Sequence, residues 1–172
     1  MKCVVSRVLS SSVLIRDGSQ PGERRLSGPG LLLLLGVGLE DDEASLKKLV
    51  DKILALRIFS NDEGKFDRSV VDVKGEILLI SQFTVCASLK GGRRPDFTAA
   101  ARPEKAEPLY RRAAELLAAP GLTVRTGEFG ASMAVESVND REPRIGADEA
   151  GPPAGGALSP GRRPTDRGPR PA

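Results

Sequence analysis

The sequence predicts a single α/β domain, with layered sheets and two helices in a β/β/α arrangement. Its 172 residues, 40% of them hydrophobic, suffice for one domain with a core. Two segments carry apolar residues at helical spacing, and several others alternate or are apolar throughout, as strands do. The sequence contains no internal repeat and no glycine-rich phosphate loop after a strand. These observations favour a mixed fold over an all-helical or repeat protein.

The first predicted elements are strands. Residues 2–8 alternate and residues 11–16 follow at hairpin distance with β-branched side chains, which predicts two antiparallel strands. A polar loop spans residues 17–30. The run at 31–37 is apolar throughout and is typical of a strand covered on both faces.

Two helices follow from charge, proline and apolar spacing. The first begins at the acidic residues 41–43 and continues to Arg57. Pro103 begins the second, where its missing N–H costs nothing. Pro108 fits this helix only if it lies in the first turn.

The remaining segments are predicted as a turn and strands. Residues 61–65 form a turn, residues 69–73 a short strand, and residues 76–85 a long apolar strand. Strands at 123–126 and 132–138 complete the sheet.

The domain is expected to span residues 1–145, followed by a disordered Gly/Pro/Arg-rich tail at 146–172. The tail has almost no large apolar residue and cannot bury enough surface to fold. From residue 151 onward it carries four arginines and one aspartate, which accounts for the net charge of +3 of the whole chain. Because residues 1–150 are formally neutral, a nucleic acid would have to bind through a local basic patch.

Composition also limits the chemistry. The chain has no histidine, which excludes a His-based catalytic triad and a His-based metal site. Cys3 and Cys86 lie in strand-like segments without ligand spacing, which indicates buried reduced thiols. We therefore expect no metal and no cofactor. The longest apolar run is too short to span a bilayer, and the alternating start does not resemble a signal peptide, so a cytoplasmic protein without membrane attachment is expected.

The segment Ser81, Gln82, Phe83 and Thr84 is the first candidate for catalysis. It places two hydroxyls and an amide at the end of a buried strand, where backbone N–H groups leaving a sheet can face a ligand. The alternative interpretation is a polar strand end whose hydroxyls bond to neighbouring backbone. A lone threonine without a base is a poor nucleophile, so the residues by themselves favour that alternative.

A basic loop follows this segment. Lys90, Arg93 and Arg94 stand beside two glycines, a combination that can track a phosphate backbone. The alternative is a solvated loop without a ligand, which the residues by themselves favour here as well.

In combination, these segments resemble the D-aminoacyl-tRNA deacylase family over the first 140 residues. The resemblance rests on five stretches in the family's order and spacing: MKCVVSRVLSSSVLI, GLLLLLGVGLEDDE, ILLISQFTVCASLKGGRRPDF, PEKAEPLYRRAAELL and TGEFGASMAVESVND. It implies a deacylase-like α/β fold and hydrolysis of the ester between a D-amino acid and the 3′ adenosine of tRNA. It also implies a homodimer with active sites at the subunit interface, and aminoacylated tRNA, not DNA, as the partner.

The resemblance implies roles for particular residues. The segment from Ser81 to Thr84 would line the catalytic pocket, with either the Thr84 hydroxyl as nucleophile or main-chain N–H groups acting with the ribose 2′-hydroxyl. The missing histidine favours the main-chain account. Substrate binding and rejection of L-amino acids are implied for Arg7, Phe129, Met133, Asn139 and Pro143, and contact with tRNA for Lys90, Arg93 and Arg94.

The sequence departs from the family at its second signature. The family has Asn-x-Gly-Pro-x-Thr, whose Gly-Pro pair obstructs the side chain of an L-amino acid in the partner's pocket. Here residues 139–144 read NDREPR, with proline one position late, no preceding glycine and no threonine. We expect a weakened gate and no final strand after it, because residues 146–150 replace that strand. The alternative function is a catalytically impaired homologue that binds tRNA or acts as a dimeric interaction protein.

Overall fold

The structure, a computed structural model, describes residues 1–140 and 145–148. In chain order the elements are β1 (Lys2–Ile15), β2 (Arg24–Ser27), β3 (Gly30–Gly36), α1 (Glu43–Ala55), β4 (Phe59–Ser60), β5 (Phe66–Arg68), β6 (Glu76–Ser81), a 3₁₀ turn (Phe83–Cys86), α2 (Pro103–Ala118), β7 (Val124–Thr126), β8 (Met133–Asn139) and β9 (Ile145–Asp148). The α/β class with two helices is confirmed. Neither α1 nor α2 is long and apolar enough to cross a lipid bilayer, and the described residues contain no further α-helix.

Strand β1 organises the main sheet because it bonds to neighbours along both edges. One edge pairs with β3 and then β2, and the other with β9 and then β8, all antiparallel. Beyond β3 the sheet continues with β6 and β7 in parallel pairs. Parallel neighbours need long crossovers, which α1 with the β4–β5 hairpin provides before β6 and α2 provides before β7.

The hairpin predicted at residues 2–8 and 11–16 is wrong, because these residues form the single strand β1. A register shift between Val8 and Ser10 marks a bulge at the expected turn. Alternating and β-branched residues suit one bent strand as well as two short ones. Leu9 and Ser10 offer none of the Gly, Asn or Asp residues that a two-residue hairpin turn prefers.

Other strand predictions need correction as well. The predicted loop at 17–30 contains β2, and the strand predicted at 69–73 is a turn that follows β5. The Asp72 carboxylate closes that turn by accepting hydrogen bonds from the Ser69 N–H and hydroxyl, each at 2.7 Å. The strand predicted at 76–85 ends at Ser81. The turn predicted at 61–65 is confirmed by the bond from Asn61 N–H to Lys65 O, 2.8 Å.

Both predicted helices are confirmed. Asp42 caps α1 by accepting a hydrogen bond from Ser45 N–H at 2.8 Å, and Pro103 begins α2. Pro108 lies inside α2, beyond the first turn, so the condition set for it from the sequence is not met. Its exposed position lets water bond the carbonyl that proline leaves without a donor.

The core lies on both faces of β3 and β6. Leu31, Leu33 and Leu35 of β3 pack with Ile77 and Leu79 against the helices. On the opposite face, a smaller cluster consists of Val8, Val13, Leu32, Leu78 and Ile80. Burial on both faces is what the continuous apolar run at 31–37 predicts.

The final strand expected to be missing is present. Ile145 to Asp148 form β9, which pairs with Lys2 to Val5 of β1. The domain therefore extends past the boundary expected at residue 145, and the start of the expected tail at 146 is wrong for Gly146 to Asp148. The backbone of β1 supplies the partner for this strand, so its Ile-Gly-Ala-Asp sequence needs no apolar pattern. Residues 149–172 of the expected tail lie outside the described residues.

Candidate active site

A cavity of about 500 Å³ opens where β6 ends. It lies between the ends of β3 and β6, the 3₁₀ turn, the chain leading into α2, and the chain leading into β8. Its walls are mainly apolar and aromatic, with polar groups concentrated at the end of β6. The lining residues include Leu35, Ile80, Ser81, Gln82, Phe83, Phe97, Ala101, Phe129, Ala131, Met133 and Val135. Such a shape suits a ligand with an apolar side chain and one polar reacting group.

Part of the predicted catalytic segment lines the cavity, and part of it lies outside. Ser81 is the last residue of β6, and Gln82 N–H bonds to Leu35 O at 2.8 Å before the chain enters the 3₁₀ turn. Ser81, Gln82 and Phe83 line the cavity, whereas Thr84 is exposed outside it. The Thr84 hydroxyl oxygen accepts a hydrogen bond from the Gln82 side-chain amide at 2.5 Å. The structure thus brings three of the four residues to the cavity.

Main-chain donors are available at the start of the 3₁₀ turn. Within the turn, Val85 N–H bonds back to Gln82 O at 3.2 Å. The N–H groups of Phe83 and Thr84 come before this bond, where no earlier turn supplies an acceptor. Donors held in this way stabilise a developing oxyanion when a carbonyl is placed opposite them.

Gly36 holds the turn close to β3. A Cβ on Gly36 would lie 2.9 Å from Cys86 Sγ and 3.1 Å from Gln82 O, so a larger residue would displace the turn. Gly36 was not predicted as a site residue from the sequence. A lone glycine within an apolar strand is a recognised sign of close backbone approach and could have identified it.

Neither cysteine thiol is activated as a nucleophile. Burial raises the pKa of the Cys3 thiol to about 12 and also raises the pKa of Cys86. Both remain protonated near neutral pH and are poor nucleophiles. The free, buried state predicted for both cysteines is confirmed.

Aromatic rings form the rest of the wall. The rings of Phe83 and Phe97 meet edge to face, with centroids 5.1 Å apart and planes at 69°. Phe129 lies 5.8 Å from the ring of Tyr110, whose hydroxyl donates to Leu79 O at 2.8 Å. The predicted residues Phe129 and Met133 both line the cavity. Phe97 was missed, because nothing in the local sequence indicates a contact with a distant ring.

Arg7 lies beside the altered signature and not in the cavity. It is 6% exposed, and its Nη2 forms an ion pair with Asp140 Oδ2 at 2.9 Å. Its Nη1 donates to Ile58 O, and its guanidinium lies 5.9 Å from the ring centroid of Phe59 and 5.5 Å from that of Phe66. Through this ion pair with Asp140, Arg7 holds the first part of the altered segment against β1.

The altered signature begins at the end of β8. Asn139 is exposed and pairs with Val8, and Asp140 N–H bonds to Arg7 O at 3.2 Å. Pro143 lies outside the described residues. The chain returns to β1 at Ile145, opposite Val5.

Lys90, Arg93 and Arg94 are exposed and do not line the cavity. Their loop is closed by two hydrogen bonds between Ser88 and Asp96, at 2.8 and 2.9 Å. Within the described part of the chain, these three cations form no ion pair. The loop thus presents uncompensated positive charge near the cavity. No group of three Cys, Asp or Glu side chains suited to a metal ion occurs among residues 1–140 and 145–148.

Comparison with known proteins identifies the relatives of this chain. Residues 4–141 match the family model described as D-Tyr-tRNA(Tyr) deacylase. A D-aminoacyl-tRNA deacylase from Symbiobacterium thermophilum is 48% identical over 140 residues, covering 81% of this chain and 90% of the relative. One from Idiomarina loihiensis is 53% identical over 113 residues, covering 66% and 78%. A solved structure titled c-Myc DNA Unwinding Element Binding Protein aligns with a TM-score of 0.78 and 39% identity, covering 86% of this chain and 98% of that one.

Proposed function

The chain belongs to the D-Tyr-tRNA(Tyr) deacylase family, and from this premise we propose that it hydrolyses the ester bond of D-aminoacyl-tRNA to free amino acid and tRNA. The observation that carries the proposal is the cavity in which Ser81, Gln82 and Phe83 face apolar and aromatic walls. The reaction would remove wrong-handed amino acids from tRNA before translation. Glycyl-tRNA is a second substrate in this proposal, because glycine has no side chain to reject.

Catalysis in this proposal depends on positioning. An aminoacyl ester is already activated, so hydrolysis needs an oriented water and stabilisation of the carbonyl oxygen as it becomes negative. The N–H groups of Phe83 and Thr84 serve as the donors, and the 2′-hydroxyl of the terminal ribose assists the attacking water. The Thr84 hydroxyl lies outside the cavity and is held by Gln82, which supports a main-chain role over a nucleophilic one.

The basic loop is proposed to hold the tRNA. Lys90, Arg93 and Arg94 are exposed beside the cavity and form no ion pair among the described residues. Three cations grouped on a domain whose charges otherwise balance them suit a single-stranded 3′ end, which presents few phosphates. A DNA duplex would require a wider basic surface, so we propose tRNA and not DNA as the partner.

A homodimer in the cytoplasm completes the proposal, with no membrane contact. The outer face around β2 and β8 exposes Leu26 and Val138, at 62% and 56%. Ser11 and Ser27 lie opposite each other in a shallow groove there, and their buried hydroxyls have no partner among the described residues. A second copy covering this face would bury the apolar side chains and supply hydrogen-bond partners. Light scattering at micromolar concentration measures the mass in solution: twice the 18.2 kDa of one chain supports the homodimer, and the mass of one chain contradicts it.

The alternative is a catalytically impaired homologue, which the altered residues 139–144 favour. Release of labelled tyrosine from D-Tyr-tRNA separates the two functions. Hydrolysis well above the spontaneous rate supports the deacylase, and a rate equal to the protein-free control contradicts it. Activity should persist in chelator, since the donors proposed here are main-chain groups.

A further inference from the structure

We propose that Phe97 is a positioning residue that couples the basic loop to the Phe83 main-chain donor, so that binding of tRNA organises the catalytic turn. This inference rests on the proposed function, because Phe83 is the donor it assigns. It adds a role to a residue that no motif identified. It also predicts that the tRNA body contributes to catalysis and not only to affinity.

The first step is the connection between loop and ring. Ser88 and Asp96 close the loop that carries the three cations, and Phe97 follows Asp96 directly. The Asp96 carboxylate also accepts hydrogen bonds from Thr98 N–H at 2.8 Å and from the Thr98 hydroxyl at 3.0 Å. The backbone around Phe97 is therefore braced at the closed end of the loop. A phosphate held by the loop would restrain that end further.

The second step is the connection between the two rings. Phe83 is 56% exposed, so the protein around it provides little packing. The edge of one ring meets the face of the other at a centroid distance of 5.1 Å, a geometry that favours one orientation. The Phe83 ring stands on the same residue as the N–H donor. In this proposal, fixing the ring restricts the backbone rotation of Phe83 and so keeps its N–H in place for a substrate carbonyl.

The third step is the far anchor of the Phe97 segment. Ala100 N–H bonds to Phe97 O at 2.9 Å, and Ala101 N–H bonds to Val37 O at 2.9 Å, at the end of β3. The segment is thus tied to the sheet on one side and to the loop on the other. Phe97 lies between the basic loop and the residue that bonds to the end of β3. A displacement of the loop would therefore be transmitted to Phe97 first, and through its ring to Phe83.

Phe97→Leu tests the coupling because leucine preserves an apolar wall but removes the ring pair. With D-Tyr-tRNA, kcat should fall about tenfold while KM changes less than about twofold, since misaimed donors affect the transition state. With 3′-(D-tyrosyl)adenosine, which lacks the tRNA phosphates, the loss should be much smaller. Phe97→Tyr retains the ring and should retain activity, and Val73→Ala, at an exposed apolar residue outside both the cavity and the basic loop, serves as the control.

A second measurement does not depend on hydrolysis. The full chain contains only five phenylalanines, so ¹⁵N-phenylalanine labelling gives a small set of amide signals. Uncharged tRNA should shift the Phe83 amide in the unmodified protein and in Val73→Ala, but not in Phe97→Leu.

The coupling is overturned if Phe97→Leu leaves the Phe83 shift intact, or if it lowers kcat equally for both substrates. A rise in KM alone would also overturn it, because that result describes a simple wall residue. If the unmodified protein fails to hydrolyse D-Tyr-tRNA, the proposed function fails, and the amide signals still decide the coupling separately.

Discussion

The two segments that define the proposed chemistry are held in different ways. The turn after β6 is fixed by the backbone hydrogen bond from Gln82 N–H to Leu35 O of β3 and by close packing on Gly36. The segment after β8 starts on an exposed strand and depends on the ion pair between Arg7 and Asp140. The first segment provides the proposed donors for hydrolysis, and the second the proposed gate for chirality. The comparison teaches that this sequence departs from the family at the proposed gate, whereas the proposed catalytic turn keeps the family's Ser-Gln-Phe-Thr segment and lies packed against β3.

The largest effect should come from breaking the rigid segment. Gly36→Val would force the turn away from β3, so we expect hydrolysis to fall by about 100-fold or more, since displacement of about 1 Å has this effect on reacting groups. Overpacking should also lower the free energy of unfolding by about 1–3 kcal/mol.

Gly28→Ala is the matched control for Gly36. A Cβ there meets Glu76 only at 3.5 Å, an ordinary contact. Single-turnover hydrolysis and thermal melts measure both variants. Retention of activity in Gly36→Val would show that the turn does not depend on its packing against β3.

Rebuilding the gate should sharpen the comparison. We expect replacement of residues 141–144 with Gly-Pro-Val-Thr to raise the preference for D- over L-Tyr-tRNA about tenfold, which corresponds to about 1.4 kcal/mol of differential binding. Hydrolysis of the D substrate should change little, because the catalytic turn lies on another strand. Parallel assays with both substrates measure the ratio. Full D-selectivity in the unmodified chain would show that its gate is already intact.

Removing the ion pair between Arg7 and Asp140 tests whether this contact supports the proposed gate. Asp140→Asn removes the carboxylate opposite the buried Arg7, so selectivity should fall about threefold and stability by about 1 kcal/mol, a value reduced for the partial exposure of Asp140. Denaturant titration and D/L assays provide the measurements. Asp51→Asn, which breaks an exposed ion pair with Lys47, should leave both quantities unchanged.

The smallest effect is expected at Thr84. Thr84→Ala removes a hydroxyl that lies outside the cavity but keeps the main-chain N–H, so activity should stay within about threefold of the unmodified protein. A fall to the spontaneous rate would assign the nucleophile to the Thr84 hydroxyl. Thr123→Ala, at an exposed threonine outside the cavity, provides a control for loss of a threonine hydroxyl.

Periodic segments were predictable from the sequence because their burial follows a local pattern. Strand β3 and both helices have this property, and the structure contains them close to their predicted bounds. The continuity of β1 was not predictable, because alternation has the same form in one strand and in a hairpin. Strand β9 depends on hydrogen bonds to residues near the start of the chain, which no local pattern records.

The candidate site shows the same division. The local pattern drew attention to the polar end of a buried strand at Ser81 and Gln82 but did not by itself favour a site. The resemblance placed these residues and Phe83 in a pocket, together with Phe129 and Met133. Placing Thr84 outside the cavity required the direction of the turn after Gln82. The contact between the rings of Phe83 and Phe97 joins two separate segments, so it could not be predicted from either local sequence.

The pairing of β8 and β9 with one edge of β1 has a consequence for insertions and deletions. Val8 faces Asn139 and Val5 faces Ile145, so both ends of the intervening segment are set by the same strand. Adding or removing one residue between them would shift β9 by one position and turn each of its side chains to the opposite face. We therefore expect a change in the length of this segment to be felt in the sheet beside the amino terminus, where β9 pairs with β1.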